Sequence, residues 1–405
     1  AMAYDPELDL LYIGVGNGSY WHYGQRSEGK GDNLFLSSVV ALRPDTGRYV
    51  WHYQTTPGDA WDFTATQHII VATLPIDGQP RKVVMQAPKN GFFYVLDAAT
   101  GRLISAEKFV PMVNWAKSVD PATGRPVIDA EAADYWTEGK PKLVFPGSLG
   151  AHNWQPMSFS PKTGLVYIPA QSTADIHHPK SRIDAPRKGV WSTGMEIPSV
   201  PEDKKSIDEF AAIYTGKLLA WDPVRQKEAW SAPYAQIANG GTLATAGNLV
   251  FQGSHDGRLL AYAADSGKLL WERRVSSGVV AAPVTYTVDG EQYVTFSSGW
   301  GGSYPIAVGP LSERTRGVPD AQVFTFKLGG SAAMPKVRQR ALVPPDPPPA
   351  TADAATVNAG RELYRNHCGM CHGLGAFSAN VIPDLREMSP QTHEDFQAIV
   401  AGARA

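Results

Sequence analysis

The clearest chemical pattern in the chain is the run Cys368-Gly369-Met370-Cys371-His372 near its C-terminal end. Two thiols separated by two residues and followed directly by a histidine form the attachment signature of a c-type haem. The thiols would bond to the vinyl groups of the porphyrin, and the imidazole of His372 would be an axial ligand of the iron. Because Cys368 and Cys371 are the only cysteines in the sequence, we predict that both are haem attachment sites.

Two other interpretations of a Cys-x-x-Cys pair are less favoured. A zinc site would need further ligands, and only His367 and His393 lie near the pair. A redox pair would belong to a βαβ unit, whereas this motif follows a proline-rich segment. Thioether attachment of haem takes place outside the cytoplasm, so the motif also predicts a periplasmic protein. Met388 lies too soon after His372 to reach the opposite face of the haem, and we expect the second axial ligand beyond Ala405.

Three polar residues elsewhere have types and settings that could do chemistry. Asn17 stands between two glycines, where its amide oxygen could bind Ca²⁺, although an asparagine in a glycine-rich turn is more often a left-handed turn residue. Asp62 follows Trp61 in an apolar run, where a carboxylate needs a cation or strong hydrogen bonds; a turn cap is the structural alternative. Lys89 begins a hairpin strand and would by default be a surface cation. The residues alone leave these alternatives open.

Composition indicates which elements position these residues. The chain has 405 residues, of which 39 are Gly, 32 are Pro and 11 are Trp, as is typical of a turn-rich β architecture. A net charge of −2 excludes a general nucleic-acid-binding protein, and 43% hydrophobic residues exclude a disordered chain. No apolar run reaches the ~18 residues of a membrane-spanning helix.

A repeated hairpin runs through the sequence. The segments 41–51 and 261–271 share Ala, Gly and Trp at identical spacing. Two further copies are degenerate: Gln226 replaces the glycine of one, and Ser105 replaces the tryptophan of the other. A second pair of strands precedes each hairpin, and four-stranded units with a docking tryptophan are typical of β-propeller blades. We therefore predict four to five blades.

The composition changes towards the C-terminal end. We assign residues 1–330 to a partial propeller, 331–354 to a semi-rigid proline-rich linker and 355–405 to a small, incomplete cytochrome c domain. Residues 106–148 and 172–210 are predicted to be long loops, which tend to be functional in compact domains.

Several segments resemble the C-terminal part of the quinohaemoprotein alcohol dehydrogenases, enzymes that carry pyrroloquinoline quinone (PQQ) and a fused cytochrome c domain. Besides the haem motif, the resemblance rests on Gly14-Val15-Gly16-Asn17-Gly18, Gly31-Asp32-Asn33-Leu34, Asp59-Ala60-Trp61-Asp62-Phe63, Pro88-Lys89-Asn90-Gly91, His152-Asn153-Trp154-Gln155-Pro156 and Gly299-Trp300-Gly301-Gly302. It implies an all-β fold: part of an eight-bladed propeller with tryptophan-docking motifs, followed by a truncated α-helical cytochrome c domain.

The resemblance also implies the site. Asp62 would be the catalytic aspartate and, with Asn17, a Ca²⁺ ligand. The residues implied to contact PQQ are Lys89, Asn153, Trp154 and Trp300. Lanthanide-dependent relatives carry an extra acid at the position of Thr64, so its absence here favours Ca²⁺.

The chain also departs from the family. Ile237-Ala238-Asn239 stands where relatives often have a tryptophan before the Gly240-Gly241 pair, so one pocket contact is expected to differ. The family's adjacent cysteine pair, a calcium-binding glutamate and a signal peptide would lie upstream of Ala1. We therefore expect the chain to be part of a longer protein.

The function implied is oxidation of a small alcohol to an aldehyde or ketone in the periplasm, by a protein that is soluble or peripheral to the inner membrane. Electrons would pass from PQQ through haem c to a cytochrome, a cupredoxin or a quinone. A quinoprotein sugar or aldehyde dehydrogenase and a non-catalytic propeller scaffold are the alternatives.

Overall fold

The chain is described here by a computed structural model. It covers residues 1–180, 193–196, 203–301, 303–314, 317–318, 320–339, 341, 349, 351–378 and 381–402. Residues 342–348, the centre of the predicted linker, lie outside this range. Within the described residues, no helix has both the length and the apolar character needed to cross a membrane.

The strands, in chain order, are β1 (Met2–Asp5), β2 (Leu10–Gly14), β3 (Ser38–Leu42), β4 (Tyr49–Gln54), β5 (Ile70–Ile76), β6 (Gln79–Gln86), β7 (Phe92–Asp97), β8 (Leu103–Lys108), β9 (Ala116–Val119), β10 (Pro126–Ile128), β11 (Lys142–Val144), β12 (Ser158–Ser160), β13 (Leu165–Gln171), β14 (Asp175–His177), β15 (Gly216–Asp222), β16 (Lys227–Tyr234), β17 (Thr242–Thr245), β18 (Leu249–Gly253), β19 (Arg258–Ala263), β20 (Leu269–Arg274), β21 (Val284–Val288), β22 (Glu291–Ser298) and β23 (Gln322–Lys327).

The α-helices are α1 (Tyr23–Ser27), α2 (Ala130–Ala133), α3 (Tyr135–Glu138), α4 (Lys204–Ile213), α5 (Ser303–Val308), α6 (Ala354–His367), α7 (Gly369–His372), α8 (Pro390–Glu394) and α9 (Phe396–Gly402). Three 3₁₀ turns span Gly309–Arg314, Leu374–Ala376 and Leu385–Glu387.

Antiparallel sheets follow one another along the chain. The first contains β1 to β4, the second β5 to β8, the third β12, β13, β15 and β16, and the fourth β17 to β20. The strands β21 to β23 form a fifth sheet, and each sheet is a meander in which its successive strands pair; in the third sheet, β13 pairs with β15 across the excursion that contains β14. Two small sheets, β9 with β10 and β11 with β14, lie outside this series. Successive four-stranded meanders are the architecture of a β-propeller.

A tryptophan joins the first sheet to the second. Trp51 lies over Gly101, where an added Cβ would be only 2.4 Å from the indole, and its Nε1 donates to the carbonyl of Ala98 at 3.1 Å. Gly101 has a φ of 71°, so glycine is needed there both for the turn and for the contact. Tyr12 adds a second hydrogen bond to the Ala98 carbonyl, at 3.0 Å.

The third and fourth sheets are joined in the same way. Trp230 lies over Gly267, with 2.5 Å from the indole to an added Cβ, and donates to the carbonyl of Ala264 at 3.0 Å. Tyr167 donates to the same carbonyl at 2.8 Å. The tyrosine is thus a second element of the docking contact that the repeat pattern alone did not reveal.

The two predicted long loops contain short elements. Segment 106–148 includes the β9–β10 pair, the helices α2 and α3, and β11, which pairs with β14 from segment 172–210. Residues 181–192 and 197–202 of the second segment lie outside the described range. Trp61 donates to the carbonyl of Ala133 in α2 at 3.1 Å, so the first segment braces the loop before β5.

An insertion between β22 and β23 carries Trp300 and α5. The helix contacts α7 and the following 3₁₀ turn, and Val381 packs against Trp300 and Val280. The segment that contains the Cys-x-x-Cys-His motif therefore lies against the same insertion as Trp300.

Candidate functional site

Three of the residues singled out in the sequence meet in the loops of the first two sheets. Asn17 follows β2, Asp62 lies between β4 and β5, and Lys89 lies in the turn between β6 and β7. The side-chain nitrogen of Asn17 donates to Oδ1 of Asp62, and Nζ of Lys89 donates to Oδ2 at 2.8 Å. Both oxygens of the carboxylate are therefore occupied by groups that the sequence had suggested.

This cluster is largely shielded from water. Only 18% of the Asp62 side chain and 10% of the Lys89 side chain are exposed, so Lys89 is not a surface cation. Burial raises the pKa of Asp62, the ammonium of Lys89 opposes that rise, and the nearby charge of Asp175 adds to it. Asp62 is consequently a more basic carboxylate than one in water.

The loop 147–156 rests directly on Lys89. An added Cβ on Gly150 would lie 2.7 Å from the Cα of Lys89, and the amide of Ala151 donates to the carbonyl of Lys89 at 2.9 Å. The imidazole of His152 spans the carbonyls of Ala87 and Gln155 at 2.6 and 2.7 Å. This packing fixes the loop relative to the Asp62 cluster.

The same loop forms one side of a cavity. Asn153, Trp154 and Trp300 line it, and its volume is about 170 Å³. The rest of the lining is mainly apolar, with two glutamines, and consists of Leu149, Gln155, Gln171, Ile237, Ala238, Val280, Ala307 and Val308. The structure thus groups the six residues predicted around the propeller site into two sets of three: one in the cluster at Asp62 and one at the cavity.

Trp300 is held rigidly in the cavity wall. Its Nε1 donates to the carbonyl of His255 at 3.0 Å, and Gly278 is required because an added Cβ would lie 1.7 Å from that nitrogen. The side-chain oxygen Oδ1 of Asn239 in turn accepts from the backbone N–H of His255 at 3.3 Å. Of the three residues at which the chain departs from the family, Ile237 and Ala238 line the cavity. Asn239 is connected to Trp300 through His255.

The sequence profile of a known family matches this chain. The family is described as "PQQ: Glucose/ethanol/alcohol dehydrogenase, beta-propeller domain", and the match covers residues 1–124 and 132–294. The chain belongs to this family. The all-β, propeller-like fold predicted from the repeats is confirmed, whereas the blade number of the whole protein and the cytochrome c domain stay predictions.

Members of the PQQ dehydrogenase family resemble the chain along its whole length. It is 57% identical to the quinohemoprotein alcohol dehydrogenase ADH-IIG of Pseudomonas putida, covering 100% of this chain and 56% of that protein. The solved structure of that enzyme covers the chain with a TM-score of 0.94, at 56% identity over 59% of its own length. The structure of the quinohemoprotein alcohol dehydrogenase from Comamonas testosteroni matches with a TM-score of 0.83 at 45% sequence identity. The match covers 98% of this chain and 57% of that one. The chain thus spans little more than half of these relatives.

The cysteine motif forms a single helical turn. Cys368 is the C-cap of α6, and the backbone amides of Cys371 and His372 donate to its carbonyl at 3.1 and 2.9 Å. Residues three and four apart on a helix share a face, so both thiols and the imidazole point to the same side. Nδ1 of His372 lies 3.3 Å from the carbonyl of Pro383, an acceptor, which leaves Nε2 free to bind a metal.

Three residues near the site were not singled out from sequence. Asp175 influences Asp62 electrostatically and accepts from the amide of Ser148 at 2.6 Å. Arg26 donates to the carbonyl of Asp59 at 2.6 Å, and Asp59, three residues before Asp62, is buried. The only signal for Asp59 was its place at the start of the Asp59–Phe63 motif.

Proposed function

We propose that the protein to which this chain belongs oxidises small alcohols to aldehydes or ketones in the periplasm, using PQQ, Ca²⁺ and a covalent haem c. Its electrons pass on to an external acceptor such as a cytochrome, a cupredoxin or a quinone. The observation that carries this proposal is the shielded carboxylate of Asp62, which Asn17 and Lys89 contact on its two oxygens. Loop 147–156 packs on Lys89 and lines the cavity. The family match supports the same reaction class.

Asp62 has the properties of a general base. Its carboxylate is largely buried, its pKa is raised, and its oxygens face polar groups rather than water. Such a carboxylate can take the hydroxyl proton of a bound alcohol. PQQ, when bound, would supply a two-electron acceptor, and Ca²⁺ would supply a Lewis acid. Lys89 would bind PQQ, where its ammonium would stabilise negative charge.

Asn17 and Asp62 fit part of a Ca²⁺ site. A half-turn of the Asn17 amide exchanges its nitrogen for its oxygen, and the oxygens of both residues then face each other, as around a cation. Among the described residues, no three His, Cys, Asp or Glu side chains could hold a metal by themselves. Because Ca²⁺ takes six to eight oxygens, the remaining ligands would come from the cofactor and from the rest of the protein.

The cavity fits one side of a flat, polar cofactor. Trp154 and Trp300 offer indole rings and Asn153 an amide, on a mainly apolar wall. We assign these three residues, with Lys89, to PQQ binding. Trp154 is 52% exposed, which suits a residue at the rim of an open site.

The helical turn that begins at Cys368 fits a c-type haem. Cys368 and Cys371 would form the thioethers, and Nε2 of His372 would bind the iron, because Nδ1 is oriented by the Pro383 carbonyl. Haem attachment of this kind also accounts for the periplasmic location. The second axial ligand stays a prediction.

A variant and a substrate panel test the proposal in the full-length protein loaded with PQQ and Ca²⁺. Asp62→Asn should abolish alcohol-dependent turnover and leave the absorbance of the haem unchanged. Asp45→Asn, in the exposed turn between β3 and β4, is the control and should keep full activity. Faster turnover with sugars or aldehydes than with alcohols would favour the alternative dehydrogenases, and no turnover with any of them would favour a scaffold.

A further inference from the structure

The carboxylate of Asp59 is one of the most deeply buried charged groups of the described chain. Only 1% of the residue is exposed. The guanidinium of Arg26 acts on this carboxylate through its charge, but its hydrogen bond goes to the backbone carbonyl of Asp59, at 2.6 Å. A buried carboxylate is costly unless its oxygens are well satisfied by hydrogen bonds. The bonds that it makes therefore indicate what it is for.

Oδ1 of Asp59 accepts two backbone hydrogen bonds. The donors are the amides of Trp61 and Phe63, both at 3.1 Å. These amides lie on either side of Asp62 in the chain. Asp62 has a φ of 66°, in the left-handed region that residues with a Cβ rarely adopt. The two bonds close the backbone around Asp62 in this conformation.

The rest of the loop is fixed by other groups. Tyr135 donates to the carbonyl of Ala60 at 2.6 Å, and Ser37 donates to the carbonyl of Phe63. Within this loop, the side chain of Asp62 alone reaches Asn17 and Lys89. Its direction follows from the backbone that Asp59 holds.

We propose that Asp59 is a positioning residue, whose Oδ1 holds Asp62 in the left-handed conformation that aims its carboxylate at Asn17 and Lys89. The catalytic part of this inference rests on the proposed function, in which Asp62 is the base. The structural part, the hold on the Trp61 and Phe63 amides, does not.

An uncharged acceptor should serve as well as a carboxylate. Only one oxygen of Asp59 accepts the two amides, and burial raises its pKa to about 7, so the group is partly protonated at neutral pH. Asparagine keeps an oxygen at this position, whereas alanine does not. The two replacements therefore separate the hydrogen bonds from the charge.

The test compares Asp59→Asn and Asp59→Ala in the full-length protein loaded with PQQ and Ca²⁺. Asp120→Ala is the matched control, because Asp120 also accepts a backbone amide, that of Ala122 at 2.9 Å, but at an exposed turn. We expect Asp59→Ala to lower kcat by about 100-fold with little change in KM, because a small misplacement of a catalytic group has that effect. Asp59→Asn and Asp120→Ala should keep kcat within about threefold of the parent.

Amide hydrogen exchange gives a readout that needs no activity. In Asp59→Ala the Trp61 and Phe63 amides should exchange about 100-fold faster, and in Asp59→Asn at the parental rate. Unchanged exchange or unchanged kcat in Asp59→Ala would overturn the proposal. If Asp59→Ala does not fold, Asp59→Asn decides: fast exchange or a large loss of kcat there would overturn it too. Full activity of Asp62→Asn would instead refute the role of Asp62 and leave the exchange result standing.

Discussion

The side-chain amide of Gln226 donates to Oγ of Ser105 at 2.8 Å, across the contact between the second and third sheets. These are the two residues that break the sequence repeat. At the neighbouring contacts the same positions hold a tryptophan and a glycine, as in Trp51 with Gly101. Gln226 even keeps the positive φ of the glycine, at 51°. The two departures from the repeat therefore belong to one contact, in which a hydrogen-bonded polar pair replaces a tryptophan packed on a glycine.

The pair Ser105 and Gln226 should be energetically coupled. Ser105→Trp alone places an indole against the Gln226 side chain, and Gln226→Gly alone leaves a gap and an unpaired hydroxyl. Together they recreate the contact of Trp51 with Gly101. We expect the double variant to be more stable than the sum of the single effects by about 1 kcal/mol or more, measured by denaturant unfolding. Additive effects would show that the two residues act independently.

Lys89 should set the pH at which Asp62 is ionised. The ammonium lowers the pKa of the buried carboxylate, so Lys89→Met should raise it further. The acidic limb of the pH–activity profile of the loaded full-length protein should then move to higher pH, with a lower maximal rate. Lys82→Met is the control, because Lys82 pairs with Asp5 at 3.0 Å outside the described site. A profile of Lys89→Met that coincides with the parent's would contradict the role of this ion pair.

Thr64 should determine which metal the site prefers. Its hydroxyl contacts Gln67 and Thr66, each at 3.0 Å, two residues from Asp62. Thr64→Asp adds a carboxylate, which favours a trivalent ion over Ca²⁺. Competition between Ca²⁺ and La³⁺ in the full-length protein should shift towards La³⁺ by about tenfold or more. Thr64→Asn introduces a side chain with the shape of aspartate but no charge, and it should leave the competition between Ca²⁺ and La³⁺ unchanged. An equal shift in both variants would exclude the charge as the cause.

Much of this arrangement could be predicted because it depends on short-range patterns. The spacing of Gly101 and Trp51 within their repeats is a local signature, and so is the Cys-x-x-Cys-His run. By contrast, Tyr12 shares the Ala98 carbonyl with Trp51 only through the packing of two sheets, which no local pattern shows. The burial of Lys89 was likewise missed, because it depends on loop 147–156 far along the chain.

The sequence named residues for the candidate site but not the groups that support them. The resemblance named Asp62, yet Asp59, three residues earlier, was taken only as part of a motif. An aspartate that accepts amides two and four residues ahead is a known turn pattern, so this role was visible in principle. The role of Arg26 could not be predicted, because its contact with Asp59 joins two loops that are distant in sequence.

Asp59 should make stability depend on pH. Burial raises its folded pKa from 3.8 to about 7, so between these values the folded state holds a proton that the unfolded state has released. Stability then falls as pH rises, by about 1.4 kcal/mol per pH unit at most. Asp59→Asn lacks this dependence, so its stability relative to the parent should increase from pH 4.5 to 7 in denaturant unfolding. A constant difference would contradict the raised pKa.

Buried histidines act in the opposite direction. Burial lowers the pKa of His152, His177 and His255 to about 4. As the pH falls from 6.5 towards 4, the unfolded state takes up protons that these folded histidines do not, so the protein becomes less stable. The parent's own profile therefore combines both trends. The difference between the parent and Asp59→Asn isolates the aspartate, because the histidines are common to both.

In the proposed function, the Asp62 cluster drives alcohol oxidation and the electrons reach the haem at Cys368 and Cys371. Visible absorbance of the haem tests this in the oxidised full-length protein, loaded with PQQ and Ca²⁺, after a primary alcohol is added. We expect rapid haem reduction in the parent and none in Asp62→Asn. No reduction in the parent, or equal reduction in Asp62→Asn, would refute the proposed function.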